Sequence, residues 1–295
     1  MIKTGVYLSD DCSAQLIRLL VKHPDVEIMW ILLPENCRGA CDVLSELQGE
    51  IAGIPVFNDG VDQIDYSSLD LYIGEPVESF KEYFEGNDSV KMIGSGDIQG
   101  VCELNRKAMV RGGRAVTTPD TITLLGALAL MPLAKNLMLN GVVTGVMLLP
   151  GESRKHACYC IPPDGLSAGG LRVLRDEILP SLQTSFNSPV EISCIESYES
   201  TFACAILTVD FKITAGQALD IYRNYYEDHR HVFFPEKSIT DSMVMGTNKT
   251  AVCLRNDSLG RLVVSVGFDA RYKAGAGNIV HILNLLFGLD ERTGL

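Results

Sequence analysis

The groups in this chain that could attack, protonate or hold a metal are its histidines, cysteines and carboxylates, and their spacing narrows what each can do. His156, Cys158 and Cys160 form a His-x-Cys-x-Cys cluster. A zinc site needs four donors and usually separates paired ligands by two or more residues. Cys37 and Cys41 would have to complete the set from a distant part of the chain, so these cysteines are expected to pack and no metal site is expected. Asp228-His229-Arg230-His231 follows a helix ending in Tyr225-Tyr226 and reads as a polar turn. His281 falls on an apolar helix and reads as a satisfied core or interface histidine. No Gly-x-Ser-x-Gly elbow frames a Ser-His-Asp set. Asp10 and Asp11 stand in the first strand-to-helix turn, where capping carboxylates are expected.

The elements that must position these groups follow from hydrophobic periodicity. Residues 4–8 and 26–33 read as buried strands, and between them Leu16, Leu19, Leu20 and His23 share a helical face that Pro24 ends. This is a strand–helix–strand unit. Further strands are expected near Leu69–Gly74, Val90–Gly94 and Arg114–Thr118, an alternation that predicts a mostly parallel sheet with helices on both faces. After about residue 119 the pattern changes. An apolar helix over 121–139 is followed by longer strands at 141–149, 190–197, 202–212, 250–255 and 261–268, with one helix at 217–226. The last two strands flank Asn256–Gly260 and predict an antiparallel hairpin. An apolar helix from Gly277 to Phe287 closes the chain.

Composition excludes several classes. With 295 residues, 46% hydrophobic, the chain can bury a large core in one or two domains. A net charge of -12 without a basic patch argues against nucleic acid and anionic membrane surfaces as partners. The longest apolar run, Leu124–Ala134, is too short to span a bilayer. Nine irregularly spaced cysteines and an N-terminus without a secretory pattern predict a reduced, cytoplasmic protein.

Three stretches carry a family resemblance. Gly100–Thr123, GVCELNRKAMVRGGRAVTTPDTIT, resembles the segment of the N-acetyl-glutamyl-phosphate reductases that runs from Gly-Leu-Pro-Glu-Leu-Asn-Arg to Asn-Pro-Gly-Cys-x-x-Thr, without a gap. Lys273–Leu295, KAGAGNIVHILNLLFGLDERTGL, is similar to that family's closing motif. The opening MIKTGVYL and AQLIRLLVKHPDVEI resemble its dinucleotide-binding start. The resemblance implies an α/β fold: a Rossmann-like N-terminal domain (1–119, with 275–295), an α+β catalytic-like and dimer-forming domain with a mainly antiparallel sheet (120–274), and a C-terminal helix returning to the first domain. It also implies a reaction of arginine biosynthesis, in which a cysteine thiolate attacks an acyl phosphate, NADPH reduces the thioester to an aldehyde, and a histidine serves as acid and base.

The residues for that chemistry are missing. Asp120 stands at the family's cysteine position, with Thr123 matching its following threonine; shifting the register by one would place Thr121 there instead. A carboxylate is a far poorer nucleophile than a thiolate. Cys102, at a proline position of the motif, is expected to pack. The turn Leu8–Ser13 has no glycine, whereas the family's cofactor loop is glycine-rich so that the backbone can approach pyrophosphate. The counterpart of the family's His-x-His-x-Pro-Glu-Ile is Arg172–Ile178, with Leu174 at the acid–base position. Its Ser-Gly-Ala-Gly motif has become Val143–Met147, and Asp-Asn-Leu-x-Lys-Gly has become Asp269–Ala274. Asp269, Lys273, Gly275 and Gly277 remain, as a residual cofactor or anion site or as the turn into the last helix, and the turn is favoured.

The expectation is a reductase-inactive homologue without a cofactor, acting by binding a partner or a small metabolite, as a homo-oligomer or paired with a true reductase. The alternatives are a repurposed enzyme using Asp120 and a retained NADP(H)-dependent reductase.

Overall fold

The computed structural model describes residues 1–8, 13–33, 47, 49–58, 64–151, 158–161, 167–197 and 200–295. In chain order its elements are β1 (Ile2–Tyr7), α1 (Ser13–Lys22), β2 (Val26–Leu33), β3 (Val56–Asn58), β4 (Leu71–Ile73), α2 (Glu78–Glu85), β5 (Lys91–Gly94), β6 (Ile98–Gln99), α3 (Cys102–Val110), β7 (Ala115–Thr117), α4 (Thr121–Lys135), β8 (Val143–Pro150), β9 (Cys158–Ile161), α5 (Ser167–Val173), α6 (Leu179–Leu182), β10 (Val190–Ser197), β11 (Phe202–Lys212), α7 (Ala215–Tyr225), β12 (Val232–Phe233), β13 (Thr250–Asn256), β14 (Arg261–Asp269) and α8 (Gly277–Leu286). A wide helical turn, Leu174–Ile178, joins α5 to α6. The chain divides into two compact units, Met1–Thr118 with Gly275–Leu295, and Pro119–Ala274.

The first unit is built on a seven-stranded sheet of order β3-β2-β1-β4-β5-β7-β6, all of whose pairings are parallel. Strands buried on both faces cannot show polar alternation, so apolar residues run continuously and sort to opposite sides by parity. Ile31, Leu33, Leu71, Ile73 and Ile93 join one core with Leu16 and Leu20 of α1 and Val280 and Leu283 of α8. Trp30, Leu32, Tyr72 and Met92, the intervening residues, join a second core with Tyr66 and Phe80. Tyr72 and Phe80 stack there at 3.9 Å. The order reverses between β1 and β4, the switch point of a doubly wound sheet.

The second unit carries a mixed sheet, β12-β13-β14-β11-β8-β10-β9, in which four of the six pairings are antiparallel. Along β11 Ala203, Ala205, Leu207 and Val209 are fully buried while Ile206 between them is 52% exposed. One face is therefore core and the other is open. Helix α4 covers the core face against β11 and β14, and every residue from Ile122 to Ala134 is buried. Pro132 lies inside this helix and offers no N–H to the Leu128 carbonyl. The Tyr226 hydroxyl donates to Leu128 O instead, at 2.7 Å, and the Tyr222 hydroxyl donates to Ala129 O.

Helix α4 ends at Lys135, short of the helix to 139 that periodicity predicts. The Asn136 side chain donates to Pro132 O at 2.8 Å, its backbone N–H turns to Leu133 O at 3.2 Å and to Ala134 O, and Leu137 turns left-handed at φ 58°. The side-chain amide takes the carbonyl that a further helical turn would use. The hairpin closes at Asp257–Gly260, with Asp257 Oδ1 accepting from the N–H groups of Leu259 and Arg261. The expected polar turn at 228–231 forms, though His231 within it is buried. No helix among the described residues is long and apolar enough to cross a membrane.

Candidate functional site

In the first unit, the carboxyl ends of β1, β4 and β5 border a cleft of about 470 Å³ at the switch point, lined by Tyr7, Gly74, Glu75, Lys81, Ser95 and Thr118 among others. Two glycines allow the strand ends to close on one another. Gly94 has φ 143°, and a Cβ there would lie 2.1 Å from Gly74 O; Gly74 has φ 122°, and a Cβ there would lie 2.5 Å from Tyr7 O. Neither conformation nor space admits a side chain. Thr117 Oγ1 pins the following loop, accepting from Gly96 N at 2.9 Å and donating to Gly96 O. The cleft's cation, Lys81, is exposed and paired with Glu78 at 3.1 Å. Glu75 has no hydrogen bond or ion pair from its side chain among the described residues. The expected capping turn falls largely outside the described residues, since Ser9, Asp10, Asp11 and Cys12 are not among them.

In the second unit, Asp120 is the N-cap of α4. Its Oδ1 accepts from Thr123 N at 2.7 Å and its Oδ2 from Thr123 Oγ1 at 3.0 Å. Both carboxylate oxygens thus serve the first turn of their own helix. Thr123 Oγ1 also lies 3.2 Å from Gly170 O of α5, and a Cβ on Gly170 would sit 2.4 Å from Asp120 Oδ1. The fold brings Asp120 beside the segment that holds the histidine counterparts. The Leu174 side chain itself packs against α4, where Gly126 leaves room for it: a Cβ there would be 2.2 Å from a Leu174 methyl. Leu174, expected at the family's acid–base position, is fully buried hydrocarbon.

The other expected site residues have local structural work. Asp269 is buried and accepts from Gly246 N at 2.8 Å and Arg271 N at 3.0 Å. Lys273 is fully buried, the backbone breaks helical geometry at Gly275, and Gly277 begins α8. The Cys102 thiol is 1% exposed and faces Gly100 O and Asn278 Oδ1. Val143–Met147 lies in β8. Of the candidate metal ligands, His156, Cys37 and Cys41 lie outside the described residues, and only the backbone of Cys158 and Cys160 is described, in β9. Among the described residues no three His, Cys, Asp or Glu side chains converge.

No family model matches the chain. Its full length aligns with 98% of an N-acetyl-gamma-glutamyl-phosphate reductase of Parabacteroides distasonis at 30% identity over 319 residues. The chain belongs to the N-acetyl-gamma-glutamyl-phosphate reductase family. A relative of the same name from Phocaeicola vulgatus is 29% identical over 321 residues, again covering all of this chain and 98% of the relative. An aspartate semialdehyde dehydrogenase II from Vibrio cholerae, solved with ASA, superposes with a TM-score of 0.70 at 14% identity, covering 98% of each chain; at that identity it shows the fold.

Two stretches that resemble N-acetyl-gamma-glutamyl-phosphate reductases meet in one buried network. Arg106 of the Glu-Leu-Asn-Arg run pairs with Glu291 of the closing motif at 2.6 Å, and Glu291 accepts a second contact from His281 Nε2 at 2.9 Å. The His281 hydrogen bond, with help from Arg106, holds the Glu291 carboxyl down at about 2 despite burial. Asn284 joins in, its amide donating to Thr293 O at 2.8 Å and its oxygen meeting His23 Nε2 at 3.0 Å. In this member of the N-acetyl-gamma-glutamyl-phosphate reductase family these motif residues lock α8 to α1 and α3. Sequence reading missed that network and the cleft. For the cleft the signal was present: each of the short runs Leu71–Ile73 and Lys91–Ile93 ends on a glycine.

Proposed function

We propose that this chain is a reductase-silent member of its family that acts by binding a small metabolite or a partner chain. The observation that carries this reading is the commitment of Asp120: both of its oxygens cap α4, and the nearby acid–base position is the buried hydrocarbon of Leu174. A capping carboxylate is held by its own helix and is a weak nucleophile. On this reading Asp120 is a helix cap, and Asp269, Lys273, Gly275 and Gly277 form the turn into α8.

The switch-point cleft has the place and size for a nucleotide, but the charges among its described lining residues do not favour NADP(H). That dinucleotide carries a pyrophosphate and a further phosphate, which need donors and cations. The described lining sets one cation, Lys81, itself in an exposed pair with Glu78, against a bare Glu75, with hydroxyls at Tyr7, Ser95 and Thr118. Chemistry through that cofactor is therefore not part of the reading.

Self-association, or pairing with a true reductase, is supported by the open face of the second unit's sheet. Val146 and Ile206 are cross-strand partners there, 41% and 52% exposed. Adjacent exposed branched side chains favour burial against another surface. A cytoplasmic location goes with nine irregularly spaced cysteines, and the absence of nucleic-acid partners with a net charge of -12. The names of the relatives favour a second reading, a retained NADPH-dependent reduction of N-acetyl-glutamyl phosphate in arginine biosynthesis.

Titration of the purified protein with NADPH, followed by nucleotide fluorescence and paired with an assay on N-acetyl-glutamyl phosphate, separates the two. No binding at millimolar nucleotide and no turnover are expected. Micromolar binding with turnover establishes the second reading in place of the first.

A further inference from the structure

The open face of the second unit's sheet carries two opposite charges in one cross-strand row. The registers set Arg255 opposite Val263, Val263 opposite Thr208, Thr208 opposite Thr144, and Thr144 opposite Glu191. Residues in register across a sheet share a face, so these five side chains stand on one side. That side is the open one, because Leu207 and Val209, which flank Thr208 along β11, are fully buried on the other. The neighbouring row on the same face brings Val146 and Ile206 together, 41% and 52% exposed. The face thus has an apolar centre on β8 and β11, a cation on β13 at one side and an anion on β10 at the other. Arg255 and Glu191 are exposed, and neither forms a hydrogen bond or ion pair with any described residue. Four strand spacings, about 19 Å, keep them from meeting each other.

Strand β11 lies midway between β13 and β10, so the pattern is self-complementary. A two-fold axis along β11, in the plane between two facing sheets, exchanges the two sides and keeps each row at its level. It lays β13 of each copy over β10 of the other. Facing sheets pack about 10 Å apart with their strands nearly aligned, a gap that an arginine and a glutamate side chain span together. We propose that this face is the contact between two copies of the chain, related by that axis, with Arg255 of each copy paired to Glu191 of the other. Two ion pairs then flank a centre in which Val146 and Ile206 leave water. Both halves of each pair are carried by this one chain, which selects a second copy over a true reductase as the partner. The inference deepens the self-association reading and rests on it. Its test uses no nucleotide and no turnover, so it can fail while the reductase-silent reading stands.

The experiment is sedimentation velocity on the full chain over a concentration series. A monomer–dimer equilibrium is expected for the parent. Arg255→Glu and Glu191→Arg, taken singly, turn both pairs into like-charge contacts, and each should weaken the dimer at least about tenfold. Mixed in equal amounts, the two variants should associate with one another as the parent does, because every contact between them is again an opposite pair. The chain carrying both changes keeps the net charge of -12 and should self-associate like the parent. Both positions are exposed, so the variants should unfold at the parent temperature. If a reversal misfolds, Arg255→Gln and Glu191→Gln serve in its place, and their mixture should regain one pair of the two. A parent chain that stays monomeric at about 100 μM, or that associates only with a true reductase, overturns the proposal. A dimer indifferent to the reversals, or a mixture that does not recover, overturns it as well.

Discussion

Replacing Tyr226 by Phe removes one oxygen atom and should reveal how α4 tolerates Pro132. The Leu128 carbonyl is buried and has no helical donor, because residue 132 is proline; the Tyr226 hydroxyl, 2.7 Å away, is its partner. Tyr226 is 3% exposed and Leu128 fully buried, so water cannot easily replace the lost donor. An unsatisfied buried acceptor costs about 1–3 kcal/mol. For a unit of this size each kcal/mol lowers the melting temperature by about 2–4 °C, so Tyr226→Phe should melt roughly 4–8 °C below the parent at the middle of that range. The decisive assay is a double-mutant cycle with Pro132→Ala, followed by thermal and urea unfolding. Alanine restores an N–H that can reach Leu128 O through the ordinary helical bond. In that background Tyr226→Phe should cost less than about 1 kcal/mol, and the difference is the coupling between the two sites. Equal costs in both backgrounds would refute the argument, since the hydroxyl would then be acting through something other than the proline's missing donor.

Asp120→Ala should lower stability by about 0.5–2 kcal/mol through loss of the cap, while Asp120→Asn, which can still accept from Thr123 N, should lose much less. Denaturant midpoints decide it, and an equally severe loss in both would mean that the negative charge matters. Glu291 has its pKa lowered from 4.5 to about 2, so its network stabilises the fold fully above pH 4.5 and loses that contribution as pH falls toward 2. Arg106 is 43% exposed, which discounts the full shift to about 2 kcal/mol. Glu291→Gln should therefore be less stable than the parent at neutral pH, with the gap closing through acid unfolding between pH 4.5 and 2. A gap that stays constant over that range would remove the carboxylate's ionisation from the account.

Much of this molecule is legible from sequence because its causes are local. The alternation of apolar runs with Leu16, Leu19 and Leu20 at helical spacing determined a parallel sheet flanked by helices, and the Asn256–Gly260 stretch determined a hairpin. The absence of a thiol at Asp120 and of an imidazole at Leu174 is likewise a fact of composition at a position. Tertiary structure alone decided what those side chains do. Asp120 looked available for chemistry until its two oxygens were found on Thr123, and His281 was a histidine on an apolar stripe until Glu291, itself paired with Arg106, met it. Leu128 needed a donor as soon as Pro132 was written, yet nothing local says that Tyr226 supplies it from almost a hundred residues away. Periodicity fixes which face of an element is apolar, since that depends only on backbone geometry. The partner of a buried polar group depends on which other element comes to lie across it, and that is settled only when the elements pack.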